Sequence, residues 1–328
     1  MLPCDYKPVF NSLFKKELQS FLSNKRSLGC KYETQAHILY RLDKYIWVNG
    51  ITDFGDSAMV DWAKKGDTES AGAHYIRISL YRQFIMYLNR HDICVPLPLR
   101  TKNSLSKSFV PYIFTRTEIE HLLQVADQLP KKRNSSADRV MPVLFRLLYC
   151  CGLRISEATA LRIKDVDFNR SLLTIAHGKN DVCRTIPMTK SLSAVILDYL
   201  NEVYVSVLRP EFFVFPTSKM EQHGHASVYR WFREILWQSG ISHYGRGKGP
   251  RLHDLRHTFA VHSLQTQINE GRDANLLLPI LSRYLGHRNI YQTEKYLHLT
   301  AEMYPDILEK VEAYFGIISP EVIDNEAN

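Results

Sequence analysis

The sequence predicts a mainly α-helical chain of two domains, with a small antiparallel β-sheet confined to the C-terminal one. Three observations lead there: apolar residues recur at three- and four-residue spacing along most of the chain, one stretch near residue 170 switches to alternation, and 328 residues exceed what one small core organises. Hydrophobic residues at 45% and charged residues at 23% exclude a collagen-like, low-complexity or disulfide-dense architecture.

The first domain is expected over residues 1–95. FNSLFKKELQSFL, YETQAHILYRLDKYIWV and IRISLYRQFIMYLNR each carry one apolar stripe, as in Leu39, Leu42 and Ile46 or Leu80, Phe84 and Leu88. Asn49-Gly50 stops the second of these helices. Residues 96–114 read as a linker. The stretch PLPLRTKNSLSKSFVPYIFTRT holds three prolines and the basic residues Arg100, Lys102, Lys107 and Arg116, with no acidic residue. Such a segment suits lying along phosphates or being merely solvated, and composition does not choose.

The second domain is expected over residues 115–316, with a tail at 317–328. Thr115 and Glu118 have the spacing of a capping box, so a helix begins there and runs to about Gln128. PKKRNSSADR reads as a polar loop, and VMPVLFRLLYCCG as a buried helix stopped by Gly152. Ser156 is the expected cap of the next short helix. DVDFNRSLLTIAHGKNDVCRTIPM alternates apolar and polar residues with breaks at Asn169 and Gly178–Asp181, which predicts the antiparallel strands. Helical patterns then resume to about residue 315. Ile307, Leu308, Val311, Tyr314 and Phe315 make a last apolar stripe, which docks either on its own domain or on a neighbouring protomer.

The formal charge of +8 favours a polyanionic partner, either nucleic acid or an anionic membrane surface. No apolar run reaches the roughly 18 residues a bilayer requires, and MLPCDYKPVF lacks a secretory pattern, so the expectation is a cytoplasmic protein with no membrane partner. The six cysteines contain no CxxC pair and are read as reduced, mostly packing thiols. His223 and His225 in HGH lack a second ligand pair nearby and are read as part of a surface loop rather than a metal site.

Four separated segments hold residues suited to one task. Arg154 lies just before a short helix, where free amides also attract anions. Lys179 sits in the turn HGKND, a place where lysines are commonly only solvated. In RLHDLRHTF, His253 and Arg256 fall at i and i+3, pairing a group that moves protons near neutrality with one that grips non-bridging oxygens. His257, one position on, is read as packing or capping. In LGHRNIYQTEKYLHLT, His287 precedes Tyr296, and Asn289 can cap the intervening helix with Gln292 at its third position. Tyrosine attacks only where cations stabilise the phenolate and a base accepts its proton. Spacing alone leaves Tyr284, Tyr291 and Tyr296 open.

Taken in order, CGLRISEATAL, HGKNDVCRTIPM, HDLRHTFA and YLGHRNIYQTEKYLH resemble the successive motifs of the tyrosine recombinases, the phage-integrase family. The resemblance covers residues 150–298 closely. It implies a catalytic set of Arg154, Lys179, His253, Arg256, His287 and Tyr296, with Tyr296 as the nucleophile that forms a 3′-phosphotyrosyl bond. In that scheme Arg154, Arg256 and His287 hold the phosphate, Lys179 protonates the leaving oxygen, and His253 serves as base or as a positioning group. It further implies a C-shaped clamp of two domains on double-stranded DNA with specific recombination sites. A homotetramer, no metal or other cofactor, and room for accessory DNA-bending proteins complete the expectation. Departures from the pattern fall at residues 131–137 and 215–226. Two other classes share part of this profile: a DNA-binding protein without catalysis, which has no need of all six polar positions, and a metal nuclease, which needs carboxylates not found beside these motifs. Within the same chemistry, a relaxing topoisomerase has less similar spacing.

Overall fold

The structure, a computed structural model, describes residues 7–29, 32–54, 57–98, 110–133, 135–176, 183–204, 207–242, 249–287 and 289–303. Arg100, Lys102, Lys107 and Lys179, the 307–315 stripe and the 317–328 tail lie outside them. The chain divides into two compact units, Met1–Val110 and Pro111–Asn328.

The first unit is helical among its described residues: α1 (Lys15–Ser27), α2 (Glu33–Val48), α3 (Ser57–Ala63) and α4 (Ala71–Asn89). Both predicted stripes are buried and meet Leu18, Phe21 and Leu22 of α1 in one core. Asn49 caps α2, and Gly50 follows at φ +62, a left-handed value that glycine adopts without a Cβ penalty. Two buried charges pin the helix ends. Asp43 accepts the amides of Asn11 and Ser12 at 2.8 and 3.0 Å, and Arg77 binds Glu69 while donating to the carbonyls of Trp62 and Lys64. A buried charge is tolerated only when its hydrogen bonds are met, as these are.

The second unit holds α5 (Arg116–Asp127), α6 (Ala137–Cys150), α7 (Ile155–Ala160), strands β1 (Val166–Asp167), β2 (Leu172–Ile175) and β3 (Arg184–Pro187), then α8 (Lys190–Val203), α9 (His225–Gln238), α10 (Leu252–Asn269), α11 (Ala274–Leu285) and α12 (Tyr291–Met303). The fold class is thus mainly α with a small antiparallel sheet, in the order β1-β2-β3. Leu173 pairs with Val166 on one side and Ile186 on the other, and all three face the core. One core is built by α5, α6, α8, α9 and the sheet, and a second by α10, α11 and α12.

The Thr115 capping box forms in both directions: the hydroxyl accepts the Glu118 amide at 3.1 Å, and Glu118 accepts the Thr115 amide at 2.8 Å. Three local readings are corrected. Ala137–Arg139 belong to α6 rather than to the preceding loop, because Ser136 supplies the carbonyl that starts the helix. The short helix α7 is capped at Arg154, not Ser156, since Glu157 is the side chain that folds back onto the chain before it. Among the described cysteines only Cys151 is buried, while Cys94, Cys150 and Cys183 are exposed and so do not serve packing. His223 lies in a loop but is buried against Trp231, with Nε2 at 3.1 Å from the Pro216 carbonyl oxygen. Among the described residues no helix is long and apolar enough to cross a membrane, and no cluster of three or more potential metal ligands occurs.

Candidate active site

The site lies where the turn between α6 and α7, the start of α10, the end of α11 and α12 converge. Gly152 makes the turn possible: its φ is +57, and a Cβ there would overlap the Phe259 ring. Arg154 follows at the cap of α7, its guanidinium at 2.7 Å from Glu157 Oε1 and 3.4 Å from the Gly286 carbonyl.

Glu157 organises the cations. It is 4% exposed and accepts two hydrogen bonds from Arg184, at 3.1 and 2.7 Å, as well as those from Arg154. Burial pushes its carboxyl up, but the bonds and charges of Arg184 and Arg154 win and hold it down at about 2. Arg184 in turn donates through Nε to the Tyr284 carbonyl, tying β3 to α11. Sequence reading passed over both residues. Their signal was present in the glutamate of the LRISE segment and the arginine opening the strand after the turn.

Arg256 is 1% exposed, donates to the carbonyls of Gly152 and Leu285, and sits 3.9 Å from Glu157. Burial, helped by Arg154, lowers its guanidinium to about 10, which still leaves it charged at neutral pH. Arg154 and Arg256 therefore reach one pocket wall through a shared carboxylate. Their cationic faces cost desolvation energy that a bound anion would offset.

Tyr296 is 1% exposed, in the core formed by α10, α11 and α12. Its hydroxyl lies 2.9 Å from Nδ1 of His257, and the His287 ring stacks on it at 6.1 Å with a 23° tilt. Burial raises the phenol to about 12 against the pull of Arg256 and Arg154, so it is protonated in this state. His287 shares a 2.8 Å hydrogen bond with the Thr293 hydroxyl, which orients its ring. Asn289 accepts the Gln292 amide at 3.2 Å, as predicted. His257 packs in the interior, as expected, but it does so with Nδ1 on a polar partner. It is the group in contact with the Tyr296 hydroxyl.

His253 lies on the same side of α10 as His257, the two rings meeting edge to face at 4.7 Å. It remains accessible to solvent. Desolvation first, then the charges of Arg256 and Arg154, lower its pKa below the usual imidazole value. His287 is lowered to about 3 by burial and by Arg256, and His257 to about 2 by burial and by His253. Burial and the cationic neighbours thus favour the neutral form of all three histidines. Lys295, also missed, holds its ammonium 5.2 Å from the Tyr296 ring centroid, a cation–π distance. Burial of its surroundings and the Arg256 charge lower its pKa.

Five of the six expected residues thus come together: Arg154, His253, Arg256, His287 and Tyr296. Arg116 does not join them. It opens α5 and binds Gln265 and Thr266 of α10 at 3.3 and 3.1 Å.

The chain is similar to known proteins in both sequence and fold. The family model of the phage integrase family matches residues 113–303, more than half of the chain. A Sinorhizobium fredii protein, y4rB, named in the integrase/recombinase class, is 28% identical over 311 residues, covering 92% of this chain and 98% of its own. A tyrosine recombinase of Pseudothermotoga lettingae is 30% identical over 236 residues, 72% of this chain and 73% of its own. The fold is similar to that of the XerH site-specific recombinase bound to a palindromic difH substrate, with TM-score 0.61 at 19% identity over 89% of this chain and 83% of that one. It is similar also to the Tn1549 transposon integrase in complex with transposon right end DNA, with TM-score 0.62 at 17% identity over 89% and 99%. With a family model spanning more than half of its length and a relative 30% identical over 72% of it, the chain belongs to the phage integrase family, the tyrosine recombinases.

Proposed function

We propose that the protein is a site-specific DNA recombinase that cuts and rejoins duplex DNA through a 3′-phosphotyrosyl bond on Tyr296. The observation that carries the reading is the Tyr296 hydroxyl, buried beside two arginines that share Glu157 and flanked by histidines. A phosphodiester entering there brings the anion those cations lack. Arg154 and Arg256 hold its non-bridging oxygens, with His287 assisting, and this electrostatic stabilisation of the pentacoordinate state is worth several kcal/mol, on the order of 3–4 per donor. Tyr296 attacks phosphorus in line, and Lys179 protonates the leaving 5′-oxygen. The phosphotyrosyl bond conserves the energy of the broken one, and the 5′-hydroxyl of a partner strand reverses the step to complete exchange.

The same reading takes double-stranded DNA bearing recombination sites as the partner. Arg100, Lys102 and Lys107 supply phosphate contacts, and two domains clamp the duplex. Strand exchange between two duplexes requires four active sites, hence a tetramer. An open apolar groove of about 420 Å³ between α10 and α11, with Ile280 and Leu281 on its wall, supports docking of the 307–315 stripe from a neighbouring protomer. Action on DNA implies a cytoplasmic location, service to a mobile element or a chromosome, and room for DNA-bending helpers.

The test is covalent capture on a nicked duplex carrying the site selected from source DNA. Tyr296→Phe is expected to abolish the adduct while leaving DNA affinity within about twofold, the lost hydroxyl contributing little to phosphate binding. An adduct surviving in that variant removes Tyr296 from the role.

A further inference from the structure

We propose that His257 is the proton acceptor of the nucleophile, taking the phenol proton of Tyr296 on Nδ1 as the oxygen attacks phosphorus. The inference rests on the strand-transfer reading above and assigns a step that reading leaves open. His253 was the sequence-level choice for it. The geometry points elsewhere: His257 Nδ1 is 2.9 Å from the Tyr296 oxygen, within the reach a general base needs, while His253 meets the His257 ring edge to face. Both partners are buried, His257 at 4% and Tyr296 at 1% exposure, so water does not compete for the proton. The Arg256 charge also acts on both His257 and Tyr296, so a phosphate gripped by Arg256 lies near the acceptor.

The charges round His257 explain how a weak base becomes useful only on DNA. From α10 it faces His253, Arg256 and Arg251, and from α12 Lys295 and Tyr296. Burial and these positive neighbours favour the unprotonated ring, whose Nδ1 can accept the Tyr296 O–H. A docked phosphodiester adds a negative charge among the same cations and raises the affinity of His257 for a proton. Proton transfer and attack then reinforce each other, because the tyrosine oxygen loses its basicity as it bonds to phosphorus. In balance, the O–H bond of Tyr296 breaks and Nδ1–H forms. The oxygen pair bonds phosphorus, the bond from phosphorus to the 5′-oxygen breaks, and that oxygen takes a proton from Lys179. On rejoining, the imidazolium returns its proton to the departing tyrosine oxygen, leaving a neutral ring and a free phenol.

The experiment measures single-turnover adduct formation by full-length protein on the nicked duplex. His257→Asn places an amide oxygen near Nδ1, able to accept the hydrogen bond but not the proton. The expected result is a loss of about a hundredfold or more in rate at neutral pH, with partial recovery as pH rises and the phenol ionises on its own. The loss should persist on a duplex with a bridging 5′-sulfur, whose departure needs no acid. Should His257→Asn unfold, His257→Ala with added imidazoles of graded basicity gives the second reading, rescue increasing with basicity. A wild-type rate in His257→Asn, rescue by the 5′-sulfur duplex, or imidazole rescue indifferent to basicity each overturn the assignment. Failure of this inference alone leaves Tyr296→Phe inactive, whereas an adduct in Tyr296→Phe removes the parent reading.

Discussion

Glu157 shows how one side chain can govern a site it does not act in. Removing its charge leaves Arg154, Arg184 and Arg256 crowded without a counter-ion, and breaking such a buried pair costs about 3–5 kcal/mol. Glu157→Gln is therefore expected to unfold in urea with about 3 kcal/mol less stability near neutral pH. The pH dependence has a definite sign. The folded carboxyl is depressed to about 2 from an ordinary 4.5, so its contribution is complete above about pH 5 and lost as pH falls towards 2. The gap between wild type and variant should thus narrow in urea melts taken near pH 3; a gap constant with pH would contradict the ion-pair account. Adduct formation should fall with stability, because Arg154 loses the carboxylate that aims it.

At the scale of elements, the site depends on how α6 ends and α7 begins. Gly152 holds a left-handed φ of +57 and gives its carbonyl to Arg256, while its missing Cβ leaves space for Phe259 of α10. An alanine there meets both backbone strain and the Phe259 ring, 2.3 Å from where its Cβ would lie. Gly152→Ala is expected to lower stability by more than about 1 kcal/mol, the cost of the left-handed conformation alone, and to shift Arg154 with it. Thermal unfolding together with adduct yield checks this, and a variant as stable as wild type would show the turn to be permissive. By contrast α12 is set by its own sequence, with Asn289 capping it and Thr300 returning a 2.7 Å hydrogen bond to the Tyr296 carbonyl.

For the whole molecule, the net charge of +8 suits a member of a DNA-recombining family, because phosphate contacts supply much of the affinity for DNA. Each phosphate neutralised contributes about 0.9 to the slope of log affinity against log salt. Replacing Arg100, Lys102 and Lys107 by glutamine should reduce that slope by up to about 2.7 and weaken specific and nonspecific duplexes alike. Titrations at several salt concentrations decide the matter. An unchanged slope would make the segment a solvated connection and nothing more.

By itself the sequence determined the helical class, the Thr115 and Asn289 caps, the alternating strands and the order of the cationic motifs. All of these depend on neighbours a few residues apart, whose spacing is written directly in the chain. Spacing alone left three tyrosines open and the resemblance of the motifs pointed to Tyr296, but neither could show that His257 faces it. Tertiary structure shows that contact. Tyr284 stacks on Phe259 with its hydroxyl raised by burial, Tyr291 is 76% exposed, and Tyr296 alone of the three meets a histidine from α10. The contact joins residues 39 apart in sequence, and the Glu157–Arg184 pair joins two that are 27 apart. No local periodicity encodes such distances. They follow from how α10 and α12, or β3 and α7, pack in three dimensions, and that packing turns a set of suitable residues into one pocket.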